Sequence, residues 1–411
     1  MPTRTPAAIW RFQSRRFAAL TRQQTGCSPQ EKKPLLGLSP EDLRATLLSS
    51  ISLPAAIHDL VTARPYMSDQ ISDFIHRQGA QSFDEMTSLS KPVRAAMAES
   101  FRIGYGETRS ALVSTDGTRK WLVGFGGGAD VETVLIPNRA EDGEDVEPGG
   151  TVCVSSQVGC SLRCTFCHTG TQKLLRNLSA GEILAQVMLA MRAAGDFPRT
   201  QGKRRAVTNI VLMGQGEPLL NYRNVSAALA AVSRKSGLGM APWRVTLSTS
   251  GVAPLMEKVG RDLRVGLAVS LHAVTDEMRD ELVPLNRQYP ISEVMTGCRK
   301  YLIHRDPESR HRRITFEYVM LDGVNDSLTE ARQLVRLLGQ LPAHVNLIPF
   351  NPWPGSTYKS SSPSAIEKFR NIVVAAGIPC HVRQPRGQDI LAACGQLKSS
   401  DEVKRDRPAV S

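Results

Sequence analysis

Cys160-Ser161-Leu162-Arg163-Cys164-Thr165-Phe166-Cys167 places three thiols within eight residues, separated by three residues and then by two. The run before it, 151–158, is rich in β-branched and hydroxyl side chains, so the thiols belong to a loop that leaves a strand. Thiolates this close together can share one metal centre. A structural zinc site takes four protein ligands and closes its shell, whereas a 4Fe-4S cluster held by three thiolates keeps one iron open for chemistry. The competing readings are a zinc knuckle completed by His168 and three unrelated buried thiols. Cysteine is scarce elsewhere, with eight in 411 residues, which argues against chance clustering.

Outward from this motif, apolar β-branched runs at 151–157, 209–213, 244–248, 265–270, 314–321, 344–350 and 381–383 alternate with helical patterns at 180–194, 225–233, 328–338 and 365–376. That alternation predicts parallel βα units. A barrel or open barrel of such units puts its active site at the C-terminal strand ends, and the sequence has polar residues there. Gly216 and Glu217 follow the second run, Ser248 ends the third, Ser270-Leu271-His272 ends the fourth, and Asn351 follows the sixth. Taken singly, each is also an ordinary turn or capping residue.

Upstream, Ser39 is a plausible N-cap, with apolar residues at Leu43, Leu47, Leu48 and Ile51 predicting the first of several short helices that reach about residue 103. Short β-like runs at 119–124 and 131–136, punctuated by Gly126-Gly127-Gly128, predict a hairpin layer joining two domains. The expected division is a basic, disordered extension (1–37), a helical accessory domain (38–106), a β linker with an acidic loop (107–150), the catalytic domain (151–397) and a tail (398–411).

The 51 Lys and Arg outnumber the 39 Asp and Glu, for a net charge of +12. A polyanionic partner, with nucleic acid foremost, fits this balance; the alternative is a merely solubilising excess. No apolar run approaches a spanning helix, and cysteine usage does not suggest a disulfide scaffold, so a monomer in a reducing cytoplasm is expected. Arg4, Arg11, Arg15, Arg16 and Arg22 give the first residues some likeness to a transit sequence.

The C-x3-C-x2-C spacing with Phe166 before the last cysteine resembles the radical S-adenosylmethionine (SAM) superfamily. The segments Cys153-Val154-Ser155-Ser156-Gln157-Val158-Gly159-Cys160, Gly216-Glu217-Pro218-Leu219-Leu220-Asn221 and Ala393-Cys394-Gly395-Gln396-Leu397, with 83–91 in the accessory region, are similar to the dual-specificity rRNA and tRNA adenine-C2 methyltransferases. The resemblance implies an α/β fold, a partial (β/α)6 barrel with a small helical RNA-docking domain. It implies Cys160, Cys164 and Cys167 as ligands of one 4Fe-4S cluster, and Gly216, Glu217, Ser248, Ser270, Leu271, His272 and Asn351 as SAM contacts. Cys394 would receive a methyl group, Cys153 would resolve a protein-RNA thioether through a transient disulfide, and Glu132 would accept a proton. Cys27, Cys298 and Cys380 match nothing functional. Gln215 stands where the family pattern has methionine, a departure that on sequence alone touches only local packing.

Adenine C2 lies between two ring nitrogens, is electron-poor, and cannot attack a sulfonium as an ordinary nucleophile. The family route therefore uses two SAM molecules per turnover, one to methylate Cys394 and one to generate a 5'-deoxyadenosyl radical. The expected substrates are 23S rRNA and tRNA, with flavodoxin or ferredoxin as electron donor. Relatives that methylate adenine C8 share these catalytic residues and are the alternative. Methylthiotransferases need a second upstream three-cysteine cluster, and only Cys27 precedes Cys153. A non-enzymatic zinc or iron-sulfur RNA-binding protein would show no dependence on SAM.

Overall fold

The computed structural model describes residues 32–138, 149–199, 202, 204–306 and 312–399. The chain enters through a short strand, β1 (Lys33–Pro34), paired in parallel with β2 (Phe101–Arg102). Leu35 and Leu36 behind it are buried. Residues 32–37 are therefore part of the fold rather than of a disordered extension, because two consecutive leucines find a core; residues 1–31 lie outside the described residues.

Between β1 and β2 lie α1 (Pro40–Leu48), α2 (Ala55–Ala63), α3 (Met67–Asp73) and α4 (Lys91–Ser100). Ser39 caps α1 by accepting from the Asp42 N–H, with Pro40 opening the helix. Ser82 and Glu85 form a reciprocal capping box ahead of α4. The inward faces, among them Leu43, Leu47, Ile71, Met86 and Met97, are continuous with the core of the rest of the molecule. Close approach demands small residues where the helices dock: a Cβ on Gly37 would sit 2.9 Å from the Gly181 nitrogen, and one on Gly79 2.5 Å from the Phe197 ring.

A ten-stranded sheet follows. β3 (Glu107–Val113), β4 (Arg119–Gly124) and β5 (Asp130–Pro137) run antiparallel and join β6 (Gly150–Cys153). β6 begins a parallel series with β7 (Asn209–Leu212), β8 (Val245–Thr249), β9 (Gly266–Ser270), β10 (Ile314–Met320), β11 (Ala343–Pro349) and β12 (Cys380–Val382). The expected hairpin linker is thus an extension of the catalytic sheet through the β5–β6 pairing, which aligns Val134 with Cys153; the acidic residues 139–148 of its loop lie outside the described residues.

The crossovers carry α5 (Ala180–Ala193), α6 (Tyr222–Ser233), α7 (Ala253–Lys258), α8 (Asp276–Leu282), α9 (Ile291–Ile303), α10 (Leu328–Leu338) and α11 (Pro363–Ala375). Parallel strands need such connections. Six strand–helix units and a final strand result. The sheet stays open between β3 and β12, and the segment after β12 bridges the opening. Arg386 pairs with Asp116 at 2.8 Å, Asp389 accepts from the Ser114 hydroxyl at 2.6 Å, and Lys120 reaches the Leu391 carbonyl at 3.1 Å. No described helix is long and apolar enough to cross a membrane.

Candidate active site

A cavity of about 170 Å³ opens at the C-terminal ends of the parallel strands. Cys160, Cys164, Cys167, Gly216, Glu217, Ser248, Ser270, His272, Asn351 and Cys394 all line it. Residues up to 234 positions apart meet there because each follows a strand of the same parallel sheet, or is carried back across its open side. Leu271 is absent from the wall. Its side chain is in the core, its N–H donates to the Glu317 carbonyl at 3.1 Å, and its own carbonyl accepts from Arg279 at 3.0 Å.

The three thiols converge on one side. Burial raises all three pKa values above the ordinary cysteine value, Cys160 to about 12, and for Cys164 the neighbouring Cys167 and Cys160 add to the effect. Such a set ionises when a cation compensates it. Backbone N–H groups already face the sulfurs: Leu162 lies 3.5 Å from Cys160 Sγ, and Thr169 and Gly170 face Cys167. Amide dipoles around sulfur are what a thiolate-bound iron-sulfur cluster uses. Among the described residues no three His, Cys, Asp or Glu side chains come together as a site for a single metal ion, so what these thiols could suit is a larger group such as a cubane, with one thiolate on each of three irons. His168 serves another purpose: its ring stacks on Trp353 at 4.7 Å and its Nδ1 lies 3.3 Å from the Gln396 carbonyl oxygen.

Across the cavity, Gly216 holds φ +97°, and a Cβ there would meet the Gln157 side chain at 2.5 Å, so only glycine keeps the loop against the wall. Glu217 is buried, with its carboxylate accepting from the Ser250 N–H at 2.8 Å and the Leu219 N–H at 3.0 Å. Burial outweighs those bonds and lifts its pKa to about 7. An incoming ammonium would supply the missing counter-charge. His272 is held with φ +60°, and its Nδ1 accepts from the Val319 N–H at 3.0 Å, leaving the proton on Nε2. Burial lowers its pKa to about 3, so it is neutral.

Cys394 rides on the bridging segment. Its thiol opens into the cavity while protein surrounds it, so burial raises its pKa, with Arg383 opposing and Glu317 reinforcing the shift. The segment is clamped. Asn351 Nδ2 donates to the Cys394 carbonyl at 3.1 Å, the His168 N–H to the Gly395 carbonyl at 2.8 Å, and the Thr169 hydroxyl to the Leu397 carbonyl at 2.6 Å. Asn351 is thus occupied by the protein itself.

A second cavity of about 80 Å³ lies behind, with Cys394 and Cys153 both in its wall. The Cys153 thiol is pushed up to about 12 by burial and then by Cys394. Glu132 lines neither cavity. Its carboxylate meets Lys120 at 2.9 Å and accepts from the Lys398 N–H at 2.7 Å. It shares a face of β5 with Val134, which does line the second cavity. Burial holds the Glu132 carboxyl above the usual range despite Lys120. Lys398 and Ser399, assigned from sequence to a tail, are therefore part of the site's frame; residues 400–411 lie outside the described residues.

Sequence reasoning missed four supporting residues. Gln215, fully buried, accepts from the Glu132 N–H at 2.9 Å and donates to Gln172 at 2.8 Å and to Ser399 at 3.1 Å, so its role exceeds local packing. Arg279, also fully buried, ties the β8 and β9 ends together through the Ser250, Ser270 and Leu271 carbonyls and Asn286. Glu317 and Arg383 line the main cavity. Their one signal was a charge inside an apolar strand run.

Residues 154–335 match the model of the radical SAM superfamily, and residues 56–103 that of the ribosomal RNA large subunit methyltransferase N-terminal domain. The dual-specificity RNA methyltransferase RlmN of Granulibacter bethesdensis is 50% identical over 375 residues, 91% of this chain and 89% of that protein. The Acidiphilium cryptum RlmN is 51% identical over 369 residues, covering 90% and 89%. A radical SAM methyltransferase from Sphaerobacter thermophilus superposes with TM-score 0.78 at 40% identity, over 89% of this chain and 99% of that one. With identity at this level along nine-tenths of its length and the superfamily's three cysteines gathered at one cavity, the chain belongs to the RlmN family of dual-specificity RNA methyltransferases within the radical SAM superfamily.

Proposed function

We propose that this chain methylates carbon 2 of adenine in 23S rRNA and in tRNA, in the cytoplasm, drawing electrons from a flavodoxin- or ferredoxin-type donor. One observation carries the reading: Cys394 lines the same cavity as Cys160, Cys164 and Cys167, with Cys153 beside it across the smaller cavity. The relatives named above are dual-specificity RNA methyltransferases, which favours this target over adenine C8. The excess of basic residues suits an RNA partner.

Cys160, Cys164 and Cys167 would hold a 4Fe-4S cluster that, when bound, supplies one electron to the SAM sulfonium and so a 5'-deoxyadenosyl radical. The chain's own residues do the rest. Glu217 offers its carboxylate to the SAM ammonium, and Gly216, Ser248, Ser270 and His272 shape the wall around the cofactor. The Cys394 thiolate takes a methyl group from a first SAM, and loss of a hydrogen atom from that S-methyl makes the carbon nucleophilic enough to add to C2. The target base leaves its stack to reach the cavity. The adduct gives up one electron, for which the cluster, when bound, would be the acceptor, and its C2 proton, which Glu132 accepts with Lys120 as its counter-charge. Cys153 attacks the Cys394 sulfur, releasing the base and forming a transient disulfide.

The test is to separate the two cysteines. Cys394→Ala should bind the cluster yet neither become methylated nor modify RNA. Cys153→Ala should stall with RNA covalently attached at Cys394, visible on denaturing gels and by peptide mass spectrometry. Normal turnover by Cys153→Ala would sink the relay.

A further inference from the structure

Glu317 has no part in the chemistry above, yet it is a buried acid whose side chain faces the reaction cavity from β10. Its Oε1 accepts from Asn346 Nδ2 at 2.9 Å. Asn346 Oδ1 lies 3.0 Å from His344 Nε2, and that nitrogen is 3.1 Å from His381 Nδ1. Sheet register makes this row, since Glu317 pairs with Asn346 and Asn346 with His381.

The row has a direction. With His344 in the Nε2–H tautomer, that N–H donates to Asn346 Oδ1, which turns the amide NH₂ toward Glu317 Oε1 and leaves Oε2 without a bond from Asn346. Burial raises the carboxyl's pKa, while Arg383 and the hydrogen bond from Asn346 oppose that shift. The Cys394 thiol is close enough to feel both Arg383 and Glu317.

We propose that Glu317, oriented by Asn346, reads the Watson–Crick edge of the adenine to be methylated: Oε2 donates to N1 and Oε1 accepts from the 6-amino group. N1 is bonded to both C2 and C6, so a carboxyl gripping N1 and the amino group leaves C2 one bond away and free to meet Cys394. A hydrogen bond at N1 also draws electron density from C2, which assists addition of a nucleophilic carbon radical. Guanine presents N1–H and O6, the reversed pattern, and Asn346 opposes the proton shift that would accommodate it. The inference rests on the adenine-C2 reading. SAM carries an adenine with the same edge, so the experiment has an arm for each ring.

Reconstituted full-length enzyme would be assayed with a substrate RNA carrying adenosine, or purine riboside without the 6-amino group, at the methylated position. For the wild type, the missing amino group should lower kcat/KM about 10- to 100-fold. Glu317→Leu should lose a similar factor on adenosine and show no further loss on purine riboside. Glu317→Gln, whose amide keeps the donor and acceptor, should stay within about fivefold and still discriminate. Cys394 should still become methylated by SAM without RNA in both variants, as read by peptide mass spectrometry, with its rate altered only as far as Glu317 acts on the Cys394 thiol. Equal discrimination by wild type and Glu317→Leu, or loss of discrimination in Glu317→Gln with Cys394 still methylated, would overturn the proposal. A raised KM for SAM in the Cys394 reaction would overturn it too, by assigning Glu317 to the adenine of SAM. If the wild type methylates RNA without methylating Cys394, the relay fails instead, while the purine riboside comparison still decides the role of Glu317.

Discussion

Gln215→Met removes the amide from a node where it makes three hydrogen bonds. Its consequences follow from the three bonds the amide makes. Methionine fills similar volume, so packing is largely kept. The Glu132 N–H loses its acceptor at 2.9 Å and is left unpaired inside the protein, which costs about 1–3 kcal/mol. Loss of the donors to Gln172 and Ser399 adds about 0.5–1 kcal/mol each, the smaller figure applying to Ser399, whose hydroxyl keeps the Asp130 carbonyl at 2.8 Å. The sum is about 2–4.5 kcal/mol, concentrated where the C-terminal segment meets β5. Hydrogen exchange with mass spectrometry reads it directly. The Glu132 amide and the Lys398 amide, which bonds the Glu132 carboxylate, should exchange about 30- to 2,000-fold faster in the variant. If both stay as slow as in the wild type, Gln215 does not anchor the segment that carries Cys394, and the reasoning is refuted.

Three other expectations follow from the same geometry. Protein reconstituted without oxygen should bind about four irons with matching sulfide, and Cys160→Ala, Cys164→Ala or Cys167→Ala should lose them; a full cluster in any of these by iron assay and absorbance would remove the assignment. In cluster-free, SAM-free protein, Glu217 is raised from 4.5 to about 7, so the folded state holds its proton longer than the unfolded chain does. Its contribution is complete below about pH 4.5 and is lost as pH rises to about 7, an effect of about 3 kcal/mol. Urea unfolding of wild type and Glu217→Gln across that range should show it, and a pH-independent difference between them would contradict it. RNA affinity should fall linearly with salt on a log-log plot, and a flat response in a filter-binding series would return the +12 charge to a solubilising role.

Much of the catalytic sheet was legible because parallel strands buried on both faces need continuous apolar runs, and each of the seven runs is a strand. Helices with strong caps were equally plain: Ser179 with Glu182 opens α5, and Ser327 with Glu330 opens α10. The region 253–303 was not. α9 buries Ile291, Val294, Met295, Cys298, Tyr301 and Leu302 at helical spacing, but Pro290 stands where a hydroxyl cap would signal its start. α7 is only six residues long and runs straight into a wider turn.

The sequence by itself singled out the residues proposed to carry the chemistry, since three thiols at fixed spacing and polar residues at the ends of apolar runs are local patterns. Proximity is not local. Tertiary structure alone decided that Cys394 shares a cavity with Cys160, because that depends on the last segment crossing the open side of the sheet and being clamped by Asn351, His168 and Thr169. It decided that β3–β5 extend the catalytic sheet, since pairing Val134 with Cys153 is a matter of register between strands. It also decided the partners of Gln215, Arg279 and Glu317. A buried polar side chain is defined by the partners that offset its desolvation, and those partners lie on segments that the linear order keeps far apart.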